Sequence, residues 1–279
     1  MRKTRIAYMP LATYPEAVAD DSILAAARFA AMLECTLYVT TFAVDLPQVS
    51  SPLGRLLIDV PGLVRAAEEK SKAECRRLQD LIQGMAGANF NVHCTSRKVG
   101  MGGTLDTAAS EARYFDLIVL PWCGEAVEAQ DMTQAVVFGS GRPTILVPPL
   151  AEPARIDHIA IAWDASRVAA RALGDALPFL AEGGRVSVLT VQGEKPLSGS
   201  DLAVALASSL EKRGFSATPL DISLGERTIA EALQDTALSE GTQVLAMGGF
   251  GHSRIRDFIL GGATKGVMTQ LRLPILLSH

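Results

Sequence analysis

Apolar residues in this chain fall in short runs set between longer amphipathic stretches, and the alternation starts almost at once. Ile6 to Met9 predicts a strand, followed by the turn PLATYP. Asp21-Ser22 is placed to cap a helix through ILAAARFAAML, because a side-chain oxygen there can accept a free first-turn N–H. Cys35 to Val44 is β-branched and apolar enough for a buried strand, and Asp45 to Gly62 reads as a loop. Leu63 to Met85 has helical periodicity, with Leu63, Ala67, Leu78 and Ile82 as expected core positions. Strands are expected over 90–96, 116–120 and 144–147, and a helix over 104–113 after the Gly100 to Gly103 segment.

Beyond the proline-rich joint PPLAEPAR (Pro148 to Arg155) the same order begins again. Ile159 to Trp163 predicts a strand and Asp164-Ala165-Ser166 a turn. Arg167 to Leu180 predicts a helix whose last turn Pro178 strains. Strands over 185–191, 217–223 and 243–247 alternate with helices over 201–213 and 228–239, ended by Gly214 and Gly241. Pro274 to Leu277 is a last apolar run. The halves also match in sequence: RIAYMPLAT lies over HIAIAWDAS, with Leu11 opposite Asp164, and RPTILVP lies over LPILLS. Alternating strands and helices imply a mostly parallel sheet with helices on both faces. The expected fold is α/β, two tandem doubly wound domains over 1–150 and 154–279, each a five-stranded sheet flanked by helices.

Composition narrows the function. The 279 residues are 48% apolar and 20% charged, enough to build a core. A net charge of −4 and only 5% aromatics leave no basic face or stacking surface, so nucleic acid is not an expected partner. No apolar run reaches membrane-spanning length and no signal peptide is evident, so the expected setting is cytoplasmic, away from membranes. Cys35, Cys75, Cys94 and Cys123 have no CxxC spacing and read as reduced structural thiols; a metal site from His93, Cys94 and Cys123 lacks ligand spacing.

The candidate chemistry is in the last unit, where the strand over 243–247 runs into Gly248-Gly249, then Gly251, then Gly261-Gly262-Ala263-Thr264 opening a helix. Glycines at a strand end and a helix start let backbone amides approach an anion, and the helix adds its positive end. Asp164 ends the strand expected beside it, where a carboxylate can accept from ribose hydroxyls. His252, Ser253, Arg254, Arg256 and Lys265 are within reach of a phosphate in sequence, though a solvated loop is the plainer reading of Arg254 and Arg256, and Lys265 reads equally as an anion contact or a side chain in water. The glycines likewise have a plain reading as turn and packing devices, and Val191 as a core strand residue.

With its G-x2-G-x9-G spacing, the IAIAWDAS opening, GHSR and the terminal PILLS, the chain resembles the universal stress protein family in its tandem form. The resemblance is specific over 159–279 and architectural before it. It implies domains of the adenine nucleotide alpha-hydrolase-like type, pairing within the chain or as a homodimer, that bind ATP or another adenine nucleotide, with Mg2+, in stress resistance. It also implies cofactor-binding roles: Asp164 for the ribose, Val191 near adenine, and Gly248, Gly251, Gly261, Gly262 and Ala263 for the phosphates, with Thr264 as a nearby hydroxyl. Nucleotide-binding members carry Ser or Thr where Gly262 stands here, and losing a donor to a charged oxygen costs about 1.5–3 kcal/mol.

The first copy lacks this apparatus. After DLIVL comes PWCGEAVEAQDM, without glycine spacing, and Glu125, Glu128 and Asp131 oppose phosphate. Gly139-Ser140-Gly141 reads as a turn, and Tyr14, Trp122 and Cys123 could line a different pocket. A structural role is expected for it. No GxxxxGK[ST] loop, Ser-His-Asp set or HExxH motif is present, so slow ATP hydrolysis is the most enzymatic activity expected. A nucleotide-independent interaction protein of the same fold is the alternative.

Overall fold

The computed structural model describes residues 4–47, 59–122, 124, 126–149, 151, 155–192, 201–249 and 262–279. Its first half runs β1 (Arg5–Ala12), α1 (Asp20–Met32), β2 (Cys35–Asp45), α2 (Val60–Gln83), β3 (Val92–Gly100), α3 (Gly103–Ala112), β4 (Leu117–Pro121), α4 (Val127–Ser140) and β5 (Thr144–Val147). The second half runs β6 (His158–Ala162), α5 (Arg167–Ala176), β7 (Arg185–Gln192), α6 (Leu202–Lys212), β8 (Ser216–Ser223), α7 (Ile229–Ser239), β9 (Val244–Gly248), α8 (Gly262–Thr269) and β10 (Ile275–Ser278).

Among the described residues ten strands join one sheet, ordered β3-β2-β1-β4-β5-β10-β9-β6-β7-β8. Each half is parallel within itself, and the halves meet where β5 and β10 pair antiparallel, Ile275 opposite Leu146 and Leu277 opposite Thr144. Because that seam is antiparallel, the carboxyl ends of the two sets of strands face opposite edges of the sheet. The outer strands are β3 and β8. Among the described residues no helix is long and apolar enough to cross a membrane.

Strand alternation divides the core into two layers. Ala7, Met9 and Leu11 face α1 and α2, as Ile159 and Ile161 face α5 and α6. Tyr8, Ile118 and Leu120 face α3 and α4, as Ala160, Leu245 and Met247 face α7 and α8. Gly249 adds to the junction: a Cβ there would lie 3.3 Å from Val137 of α4. Arg5 also donates to the Pro178 carbonyl across the junction and lies over the Phe179 ring.

Several local expectations shift. Helix α1 begins at Asp20, so Asp20 and Asp21 lie in its first turn and its N-cap, Ala19, has no side-chain bond. Acids there favour the helix electrostatically, and Ser22 is buried. Helix α2 starts at Val60, capped by Asp59, which accepts the Gly62 N–H at 3.0 Å. Leu78 and Ile82 of α2 are fully buried, Ala67 is half-buried, and Leu63, in the first turn, is 63% exposed. Strand β3 runs later than expected, while Phe90 forms a bridge with Gly87. Pro178 ends α5 at Ala176, and Leu177–Phe179 continues as a 3-10 turn. Helix α4 emerges from the PWCGEAVEAQDM segment, and Gly141 caps it in the left-handed conformation (φ 67°).

Candidate functional site

In the second half, β6 lies between β7 and β9: Ile159 pairs with Val244, and His158 with Arg185. The chain leaves β6 one way through β7 and β8 and the other way through β9 and β10. Strand order therefore reverses between β6 and β9, and beyond the carboxyl ends at such a point is where a doubly wound sheet takes its ligands. Asp164 stands two residues past the end of β6, and Gly248 is the last residue of β9.

The Asp164 turn is tightly specified. One carboxylate oxygen accepts the Ser166 N–H at 2.9 Å, and the Ser166 hydroxyl accepts the Ala169 N–H at 3.2 Å. Ser166 is thus the N-cap of α5, while Asp164 orients the turn before it and remains exposed. Ala165, between them, takes a left-handed φ of 58°, which costs a non-glycine residue about 1–2 kcal/mol. Next to this turn the Trp163 N–H donates to the Leu189 carbonyl at 2.8 Å, and the Thr190 hydroxyl donates to the Trp163 carbonyl at 3.2 Å. These bonds extend the β6–β7 pairing to the carboxyl ends of the strands, where Val191 is half-buried on β7.

Gly248 is constrained by packing. A Cβ there would lie 2.6 Å from Val168 Cγ2 and 2.8 Å from the Ala169 backbone nitrogen. The first turn of α5 rests directly on the end of β9, so only glycine fits. Helix α8 packs as closely on α7: a Cβ on Gly266 would approach Ala230 Cβ to 2.9 Å. Because α8 connects β9 to the parallel β10, its amino end lies at the same sheet edge as Asp164 and Gly248, as does that of α5.

The predicted site residues divide accordingly. Asp164, just past β6, Val191 on β7 and Gly248 at the end of β9 lie at one sheet edge. Gly262 and Ala263 form the start of α8, and Thr264 is buried within it at 4% exposure. Gly251 and Gly261, with His252, Ser253, Arg254 and Arg256, lie outside the described residues, as does the side chain of Lys265.

The first half has the same reversal point, where a crevice opens. Ala7 pairs with Leu117 and Tyr8 with Ile118, as Ile159 pairs with Val244 and Ala160 with Leu245. In this register Ala12, not Leu11, takes the place of Asp164. Leu11 corresponds to Trp163 and turns toward the α1 layer. Two apolar strands slide past each other by one residue with little sequence penalty, yet the slip exchanges their faces, which is why alignment alone missed it. Pro121 and Trp122 take the places of Gly248 and Gly249: the Trp122 N–H donates to Val147 O at 2.9 Å, as that of Gly249 donates to Ser278 O at 2.8 Å.

Pro121 has no N–H to offer, and the Trp122 indole is buried. The crevice is lined by Pro10, Ala12, Leu120, Pro121 and Met132, with Glu16 and Glu128 at hand. Tyr14 and Trp122 do not line it, so the pocket expected from them is not formed there; Cys123 and Glu125 lie outside the described residues, and Asp131 is exposed. His93 stacks on Tyr38 at 4.7 Å, and the neighbouring Cys94 points to the opposite side of β3.

No protein-family model and no curated protein matches the chain. Solved structures do. A universal stress protein from Archaeoglobus fulgidus DSM 4304 superposes with a TM-score of 0.68 over 97% of this chain and 97% of its own, at 16% identity. A protein of Pseudomonas aeruginosa UCBPP-PA14 assigned to the universal stress proteins gives 0.57, at 11% identity over 98% and 93%. A functionally unknown protein of Pseudomonas aeruginosa PAO1 gives 0.53, at 11% identity over 98% and 92%. The chain has the universal stress protein fold along both halves.

Proposed function

We propose that the second half binds an adenine nucleotide such as ATP or AMP, as part of a stress-response role suggested by the shared fold. The reading rests on one observation: Asp164 follows β6 by two residues and Gly248 ends β9, the two strands that flank the point where strand order reverses. Asp164 would hold the ribose hydroxyls, the β7 end near Val191 would lie along the base, and the phosphates would meet the amides of Gly248, Gly251, Gly261 and Gly262. Gly262 and Ala263 begin the helix whose positive end would face them, and Thr264 would supply a nearby hydroxyl. Mg2+ would accompany the phosphates of ATP. The first half, over 1–150, acts as a structural partner to the domain over 154–279.

A second reading has its own support. The contact of α5 with Gly248 requires glycine whether or not a ligand binds, as expected of a nucleotide-independent interaction protein. Calorimetric titration of ATP and AMP into protein freed of copurified ligand separates the two. Saturable heat with one site per chain supports nucleotide binding. Neither heat nor a thermal shift at millimolar nucleotide overturns it in favour of the interaction protein. Product analysis after prolonged incubation with ATP and Mg2+ tests for slow hydrolysis.

A further inference from the structure

The first-half crevice lies at the opposite edge of the sheet from the proposed nucleotide site, and its chemistry is inverted. Pro121 withdraws an amide donor, and no carboxylate takes the place of Asp164, since Ala12 stands there. The floor and walls are apolar, built from Pro10, Ala12, Leu120, Pro121 and Met132. Two carboxylates enter from opposite banks. Glu16 comes from the turn after β1 and Glu128 from the first turn of α4, and both are exposed to solvent.

Some exposed acidic residues of the chain are paired with cations: Asp20 with Arg77 and Asp45 with Lys98 in the first half, Asp175 with Arg171 and Asp235 with Arg272 in the second. Glu16 and Glu128 have no such partner among the described residues. The amino end of α4 carries a positive dipole of about half a charge, and Glu128 in its first turn more than cancels it. The local field therefore rejects phosphate and attracts a cation. An apolar trough with carboxylates on both banks suits a cation that carries hydrocarbon, because the chain gains from leaving water while the charged end stays at the wet rim.

We propose that this crevice binds a protonated aliphatic amine, its alkyl chain along Ala12, Leu120 and Met132 and its ammonium group between Glu16 and Glu128. The site is small and open to solvent, which suits a single alkyl chain. Both carboxylates are exposed, so each contributes modestly and the interaction is sensitive to salt.

Titration of the full chain with n-pentylamine at low ionic strength, followed by NMR, tests this against n-pentanol, which has the same chain without the charge. Saturable millimolar binding of the amine is expected and none of the alcohol. Glu16→Gln and Glu128→Gln should each weaken binding about 3-fold, and together about 10-fold. Asp164→Ala, at the other edge, should leave it unchanged, so the outcome is independent of whether the nucleotide reading holds. Absence of saturable amine binding, equal binding of amine and alcohol, undiminished binding to the double variant, or a loss on Asp164→Ala each overturns the proposal.

Discussion

Trp122 and Gly249 occupy the same place in the two halves, each donating its backbone N–H to the strand alongside, at 2.9 Å to Val147 and 2.8 Å to Ser278. One position thus carries the largest side chain in the first half and none in the second. Trp122 is buried to 2% exposure among the apolar residues under α3 and α4. Truncation to alanine removes that contact area and leaves a cavity, so Trp122→Ala should cost about 3–5 kcal/mol, read by chemical denaturation. Nucleotide affinity should not change with it. A parallel loss of affinity in protein that is still folded would contradict the assignment of the site to the second half alone.

The two adjacent glycines at the end of β9 should differ sharply. At Gly248 a methyl group meets Val168 and the Ala169 backbone nitrogen inside 3 Å, whereas at Gly249 the nearest atom is a Val137 methyl at 3.3 Å. Gly248→Ala should lower stability by about 1–3 kcal/mol, and Gly249→Ala by less than about 1 kcal/mol. Combining Gly248→Ala with Val168→Ala should recover only part of the loss, because the backbone nitrogen of Ala169 still blocks the methyl. Equal melting temperatures for the two single variants would show that α5 does not rest on β9 as described.

Strain in the Asp164 turn gives a prediction of opposite sign. Ala165 holds φ at 58° between Asp164 and the helix cap Ser166. Glycine adopts this conformation without the Cβ clash, although it loses more chain entropy on folding. Ala165→Gly should therefore be neutral to stabilising, up to about 1 kcal/mol, whereas alanine-to-glycine changes elsewhere destabilise. A clear fall in melting temperature would mean that the turn is not strained.

Asp164 is the most direct test of the proposed ligand. It sits beyond β6 with one oxygen held by the Ser166 N–H, so its carboxylate has a fixed position. Hydrogen bonds to a charged acceptor contribute about 1.5–3 kcal/mol, so Asp164→Ala should weaken ATP or AMP by roughly 10- to 100-fold in calorimetry. A change at Ala12, its counterpart in the first half, should have no effect. Equal losses at both positions would refute a single-site arrangement.

The order of elements was legible because buried parallel strands make short apolar runs and their crossover helices carry a 3.6-residue pattern. That Asp164 and Gly248 stand at one sheet edge was legible too, since one follows a strand and the other ends the strand beside it. Three things were not. Helix α4 hides in a segment of weak amphipathicity, between glycines that resemble a loop. Leu63 reads as core on periodicity alone, yet its turn of α2 lies beyond the sheet it would pack on. The correspondence of Ala12 with Asp164 required knowing which face each strand residue takes, information that an apolar run such as IAYMPLA does not contain.

A buried histidine gives the second half a pH dependence. His158, at the start of β6, is 2% exposed, and its Nε2 lies 2.8 Å from the buried Ser187 hydroxyl on β7. Burial, with the Arg185 charge beside it, holds the imidazole below its ordinary value, while Glu240 at the end of α7 and Asp157 act weakly the other way. The folded chain therefore binds a proton less readily than the unfolded one. The stability gained from neutral His158 is complete above about pH 6.5, the unfolded value, and is lost as the pH falls from there through the folded one. One such group changes the unfolding free energy by at most about 1.4 kcal/mol per pH unit. Denaturation curves at several pH values should thus fall less steeply between pH values of about 6.5 and 5 for His158→Gln than for the native chain. Coincident slopes would mean that His158 titrates alike in both states, and that its burial between β6 and β7 carries no pH sensitivity.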